Sequence, residues 1–214
     1  MKRLSLNYRR VRLPTPKDHL FKDDSDWWHN AHFNLAGKSW GTYSAGYKNA
    51  ADLLARRFIK NWQGNDVLIY PMVFLYRHCL ELRLKELIIL GQRLLTEPYG
   101  IQQTILESHR LTELWTPCRK ILERTSEKGF WPKDPATRLD IIEKLVKEFH
   151  AKDPFAMNFR YPVTRKSKGG QPTLPHLNRM GVRNLYNVMQ RLDSFFTAQL
   201  DGIYFWLQQG DLLQ

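Results

Sequence analysis

Five stretches of this chain carry apolar residues at helical spacing, and no period-two alternation runs long enough to form a useful strand. From Thr42, "TYSAGYKNAADLLARRFIKNWQ" keeps the helical period until "GND" breaks it. A second helix is expected from about Val67 to Leu95, with Pro71 in its first turn, where a missing N–H does least damage, and "TEPYG" closing it. The third is entered near Ser108, in "ESHRLTELWTPCRKILERTS", with a bend expected at Pro117. Asp134 and Pro135 open the fourth, "KDPATRLDIIEKLVKEFH", in the order of an N-cap followed by a first helical residue. The fifth spans roughly Asn178 to Gln209, with Val182, Leu185, Val188, Met189, Leu192, Phe195, Phe196, Leu200 and Ile203 at core spacing.

Two regions fall outside this rhythm. Residues 1–40 carry prolines, basic residues and the aromatic cluster "DWWHNAHF", and read as an irregular arm with one short helical turn. Residues 153–176, "DPFAMNFRYPVTRKSKGGQPTLPH", form a loop longer than a bundle connection needs, which makes them a candidate functional element. The expected architecture is an all-α bundle over residues 41–214, with the basic N-terminal arm before it and the basic loop before its last helix.

The second helix holds a conflict. On a wheel at about 100° per residue centred on Arg77, the residues Tyr70, Val73, Phe74, Leu80, Leu84, Leu87 and Ile88 fall within roughly 80°. Glu81 lies about 40° from Arg77 and His78 about 100° away, at the stripe's edge. Arg77 and Glu81 therefore sit inside the apolar arc, at a spacing that lets them pair. An isolated charge there would cost several kcal/mol, so both must pair, meet another group or line a cleft. One reading is an ion pair that locks helix register. The other is a polar pocket in which a guanidinium and an imidazole face a phosphate.

Charge sharpens the choice of partner. Lys and Arg number 33 against 21 Asp and Glu, a formal net charge of +12 that favours polyanions, nucleic acid above all. Within the loop, Arg160, Arg165, Lys166 and Lys168 flank the Gly169–Gly170 pair, and Arg179 and Arg183 follow at the start of the last helix. With Tyr161 as a stacking ring, these are the expected nucleic-acid contacts. "KSKGGQ" does not match a phosphate-binding loop of the nucleotide triphosphatases.

The remaining features narrow the picture by what they lack. Cys79 and Cys118 are far apart and fit neither a disulfide framework nor a zinc spacing, which points to a reducing cytoplasm. The opening "MKRLSLNYRRVRLP" has no apolar signal-peptide core, and no run reaches the length of a membrane span. Asp26, His29 and His32 are too few for a metal site, so neither metal nor other cofactor is expected.

Three short motifs then resemble one family. "FLYRHCLELRLKELI", with Glu81, Leu84 and Lys85, resembles the helix of HEPN-domain proteins in which a glutamate precedes a Leu-Lys pair. "SHRLTELW", with His109, Leu111 and Leu114, resembles that family's His-x-Leu-x-x-Leu segment, and "FRYP", with Arg160, Tyr161 and Pro162, is similar to its Arg-Tyr-Pro element. The motifs occur in the family's order over roughly residues 42–210. The resemblance implies a helical bundle that forms a homodimer and acts on RNA as a metal-independent endoribonuclease in a prokaryotic toxin or anti-phage setting, beside an antitoxin or other defence-system protein. Members without catalysis bind RNA or nucleotides or act as scaffolds. The family's Arg-x4-6-His pair has no counterpart in the resembling region; Arg12 and His19 have the spacing but lie in the arm, across two prolines. The expected catalytic set is therefore His78 for proton transfer, Arg77 as phosphate clamp and Glu81 as orienter, with Arg160 and Tyr161 assisting. His109, just inside the expected helix start, reads more readily as a capping or core residue.

Overall fold

A computed structural model describes residues 14–33, 39–95, 103–130, 136–165 and 169–212. Five α-helices carry the fold: α1 (Trp40–Lys60), α2 (Ile69–Leu95), α3 (Leu111–Glu127), α4 (Ala136–Lys152) and α5 (Val182–Leu212). The described residues contain no strand, only an isolated antiparallel bridge between Val163 and Pro172. The architecture is all-α. No helix among the described residues is long and apolar enough to cross a membrane.

The chain divides into two compact units, Met1–Lys38 and Ser39–Gln214. In the first, Asp24 and Asn30 close a loop: the Asp24 amide donates to Asn30 Oδ1 at 2.6 Å and Asn30 Nδ2 donates back to the Asp24 carbonyl at 2.9 Å. The loop carries the short helical turn Trp27–His29, and His29 lies 3.5 Å from Asp26.

The second unit is built around α2, which packs against α1, α3 and α5, while α4 packs on α3. Ser39 starts α1 by accepting the Thr42 amide at 3.3 Å. Leu80, Leu84, Leu87 and Ile88 of α2 meet Leu111, Leu114 and Ile121 of α3 and Met189, Leu192, Phe196 and Leu200 of α5 in one core. At the α2–α3 crossing Gly91 leaves no room for a side chain, since a Cβ there would stand 2.3 Å from Ile121 Cγ2. Between α1, α2 and α5, buried Asp52 accepts from Tyr76 Oη at 2.7 Å, Lys48 Nζ at 2.8 Å and Gln190 Nε2 at 2.8 Å.

Helix ends depart from the periodicity in instructive ways. α1 stops at Lys60, because Asn61 turns extended. α3 continues through Pro117, which is buried in it rather than ending it. The Asp134–Pro135 helix start and the "TEPYG" terminus lie outside the described residues. α5 begins at Val182 rather than near Asn178, with the Leu185 amide bonded to the Gly181 carbonyl at 3.0 Å.

The segment between α4 and α5 is folded on itself. Asp153 Oδ1 accepts the amides of Met157 at 2.7 Å and Asn158 at 3.0 Å, turning the chain sharply after α4. Thr173 Oγ1 donates to the carbonyls of Tyr161 at 2.7 Å and Asn158 at 3.0 Å, and the Thr164 amide donates to the Gln171 carbonyl at 2.8 Å. Gly169 and Gly170, at φ 85° and 60°, turn the chain back where other residues would be strained.

Candidate functional site

Arg77, Glu81 and Lys85 stand one helical turn apart along the buried side of α2. Arg77 Nη1 donates to Glu81 Oε2 at 2.9 Å, and Lys85 Nζ donates to Glu81 Oε1 at 2.9 Å. Arg77 also donates from Nε to the Asp153 carbonyl at 3.0 Å and from Nη2 to the His109 carbonyl at 2.5 Å. One guanidinium thus ties α2 to the chain entering α3 and to the chain leaving α4. The Asp153 carboxylate adds a second negative charge, with Oδ2 3.5 Å from Arg77 Nε. Two cations and two anions balance in a space closed to water, which answers the conflict seen in the sequence.

Glu81 has a third partner. His109 Nδ1 lies 2.8 Å from its Oε1, so a buried carboxylate backs an imidazole whose side chain is 62 % exposed. Burial alone would oppose ionisation of Glu81, but the hydrogen bonds from Lys85 and His109 prevail and hold its carboxyl below the ordinary range. A carboxylate can only accept here, so in the neutral ring Nδ1 carries the proton and Nε2 keeps a lone pair.

His109 stands on the wall of a cleft of about 760 Å³ formed with the segment after α4. Arg160, Tyr161, Arg165, Asn158 and Thr173 line the same cleft. Arg160 is held there: its Nε donates to the Ala156 carbonyl at 2.7 Å, and its guanidinium lies 5.3 Å from the centre of the Phe74 ring. Tyr161 is exposed, with the Arg160 guanidinium 5.7 Å from its ring centre. The cleft thus presents an imidazole with a carboxylate behind it, two guanidinium groups and an aromatic face.

The sequence-derived candidates scatter more widely. Arg77 and Glu81 meet as expected, but Arg77 has no exposed surface and three protein acceptors. That geometry positions chain segments and leaves a phosphate no access to the Arg77 guanidinium. His78 joins neither of them. Its ring stands edge-on to Tyr47 at 4.4 Å and stacks near Phe74 at 5.9 Å, and burial pushes its pKa down. Arg160, Tyr161 and Arg165 come together at the cleft. Arg179 lines a different, apolar cavity, and Arg183, exposed on the first turn of α5, lines neither. Lys166 and Lys168 lie outside the described residues.

Two residues of the site carry no periodic signal. The helix start predicts a capping or core role for His109, yet it precedes α3 and faces the cleft. Asp153 stood unnoticed at the head of the loop, although an Asp-Pro pair after a helix is a turn signal. A third imidazole, His150 near the end of α4, has its pKa pushed down by burial and by the positive charges of Arg110 and Arg77. No protein-family model, curated protein or solved structure matches the chain.

Proposed function

We propose that this chain acts on RNA through the His109 cleft, as a HEPN-like protein that cleaves the phosphodiester backbone without a metal. The supporting observation is the contact of His109 Nδ1 with buried Glu81 at 2.8 Å, beside the cationic residues Arg160 and Arg165. In this reading, His109 Nε2 removes the proton of a ribose 2′-hydroxyl, and the freed oxygen attacks the adjacent phosphorus. The bond to the 5′-oxygen breaks, that oxygen takes a proton from solvent, and a 2′,3′-cyclic phosphate remains. Glu81 stabilises the imidazolium formed on the way, while Arg160 and Arg165 offset the charge gathering on phosphorus. Tyr161 offers its exposed ring to a neighbouring base. The net charge of +12 suits a polyanionic substrate. The homodimer, the defence or toxin setting and an antitoxin-type partner rest on the family resemblance.

The experiment is cleavage of pooled cellular RNA in EDTA by wild type, His109→Ala and His78→Ala. Loss in His109→Ala with retention in His78→Ala supports the reading. The reverse result moves the chemistry to His78, and equal cutting by all three assigns it to another site or to a contaminant.

A second reading is a noncatalytic RNA-binding or scaffold module. One observation favours it: among the described residues lining the cleft, His109 is the sole imidazole, so no second one stands ready to protonate the leaving oxygen. Salt-sensitive RNA binding without cleavage by the folded protein would select it.

A further inference from the structure

A second cavity, of about 300 Å³, enters the bundle between α2, α4 and α5. Buried Val73, Met189 and Leu192 lie among its lining, with Leu145, Phe149 and Phe159 beside them. Its exposed lining residues are mostly polar: Lys152, Arg179, Asn184 and Glu148, with Met180 and Gly181 beside them. Neither Lys152 nor Arg179 makes a side-chain ion pair among the described residues. The first turn of α5 starts at this rim, and the amides of Val182, Arg183 and Asn184 have no partner within their own helix. Against the single acid Glu148 stand two cations and the positive end of a long helix.

We propose that this cavity binds a free medium-chain carboxylate, its tail among Val73, Met189 and Leu192 and its head group beside Arg179 and Lys152. The apolar interior excludes a nucleotide or sugar, whose polar groups would go unpaired there. The rim selects against a neutral hydrocarbon, because two cations with no ion-pair partner among the described residues favour an anion at the mouth. Size sets the chain length: a cavity of about 150 Å³ accommodates benzene, so twice that volume takes roughly eight to ten carbons and excludes the tail of a membrane lipid. The site is separate from the His109 cleft and stands whether or not the chain cleaves RNA.

Isothermal titration of the full chain with octanoate tests this, with octanol as the neutral control. Expected is saturable binding of octanoate, with octanol weaker by about ten-fold, the loss that follows when a charged contact is removed. Arg179→Glu, at an exposed position, should weaken octanoate by at least about ten-fold with no change in the circular dichroism spectrum. Val188→Trp fills the cavity and should abolish binding; if that variant fails to fold, Leu185→Phe replaces it. No saturable binding by folded wild type overturns the site. Equal affinity for octanol overturns the anion recognition, and undiminished binding in a folded, filled variant places the ligand elsewhere. Self-association that Val188→Trp abolishes would assign the cavity to a second copy of the chain and also overturn the proposal.

Discussion

Glu81 Oε1 and His109 Nδ1 lie 2.8 Å apart, the carboxylate buried on α2 and the imidazole open to the cleft. The pair joins the two halves of the site, because Glu81 also holds Arg77 and Lys85. Glu81→Ala would leave Lys85 without its counter-charge and Arg77 with Asp153 alone, and an expected stability loss of roughly 3–5 kcal/mol follows from breaking a buried pair. Urea denaturation checks it. His109→Ala removes only the exposed member and should cost under about 1 kcal/mol while lowering RNA cleavage by roughly 10²–10⁴-fold. Comparable destabilisation by the two variants would contradict this division of labour.

Glu81 and Glu86 lie five residues apart on one helix and shift in opposite directions. Burial raises the carboxyl of Glu86, and the hydrogen bond from Tyr204 and the nearby Arg83 only partly counter it. Hydrogen bonds from Lys85 and His109 overcome burial at Glu81 and lower it. Carbon-13 detected carboxyl titration should place Glu81 below the ordinary 4.5 and Glu86 above it. The consequences for stability also oppose. A lowered folded-state pKa makes the Glu81 contribution complete above 4.5, and it is lost as pH falls through the folded value. The raised value of Glu86 means that its ionisation erodes stability as pH climbs from 4.5 through its folded value.

Arg160 and Arg165 should act on binding through phosphate charge. Replacing each by Gln is expected to reduce the slope of log affinity against log salt by about 0.7 per lost contact with single-stranded RNA. Fluorescence anisotropy over a salt series measures this. An unchanged slope in the double variant would remove the cleft from the RNA path.

At the α2–α3 crossing, Gly91→Ala sets a methyl 2.3 Å from Ile121 Cγ2. The helices must separate or Ile121 must leave its rotamer, at an expected cost of about 1–3 kcal/mol. Thermal denaturation of Gly91→Ala and of Gly91→Ala with Ile121→Val should show partial rescue by the smaller partner.

Much of the bundle could be read from periodicity, because burial enforces it. The positions expected on the last helix divide into buried Val182, Met189, Leu192, Phe196, Leu200 and Ile203 and the partly buried Leu185, Val188 and Phe195 packed against them. The wheel also exposed the misfit of Arg77 and Glu81. It could not reveal what resolves that misfit, since the carbonyls of His109 and Asp153 come from non-periodic chain far away in sequence. Lys85 was visible only through the family resemblance, though its position on the wheel falls at the edge of the same arc. For His109 the informative feature was its place just ahead of a helix. A residue there escapes the helix's own pattern, so hydrophobic spacing says nothing about where it points.

Phe159 lines the apolar cavity, while its neighbours Asn158 and Arg160 line the cationic cleft. α2 repeats the alternation, with Val73 lining the apolar cavity and Phe74 beneath the Arg160 guanidinium. The two chambers therefore meet along the segment 158–160, where successive residues face opposite ways. Trimming Phe159 to alanine on the apolar side withdraws support from the backbone that carries Arg160 on the other. A lesion there should register in both compartments, as a dent in a common wall shows in two rooms.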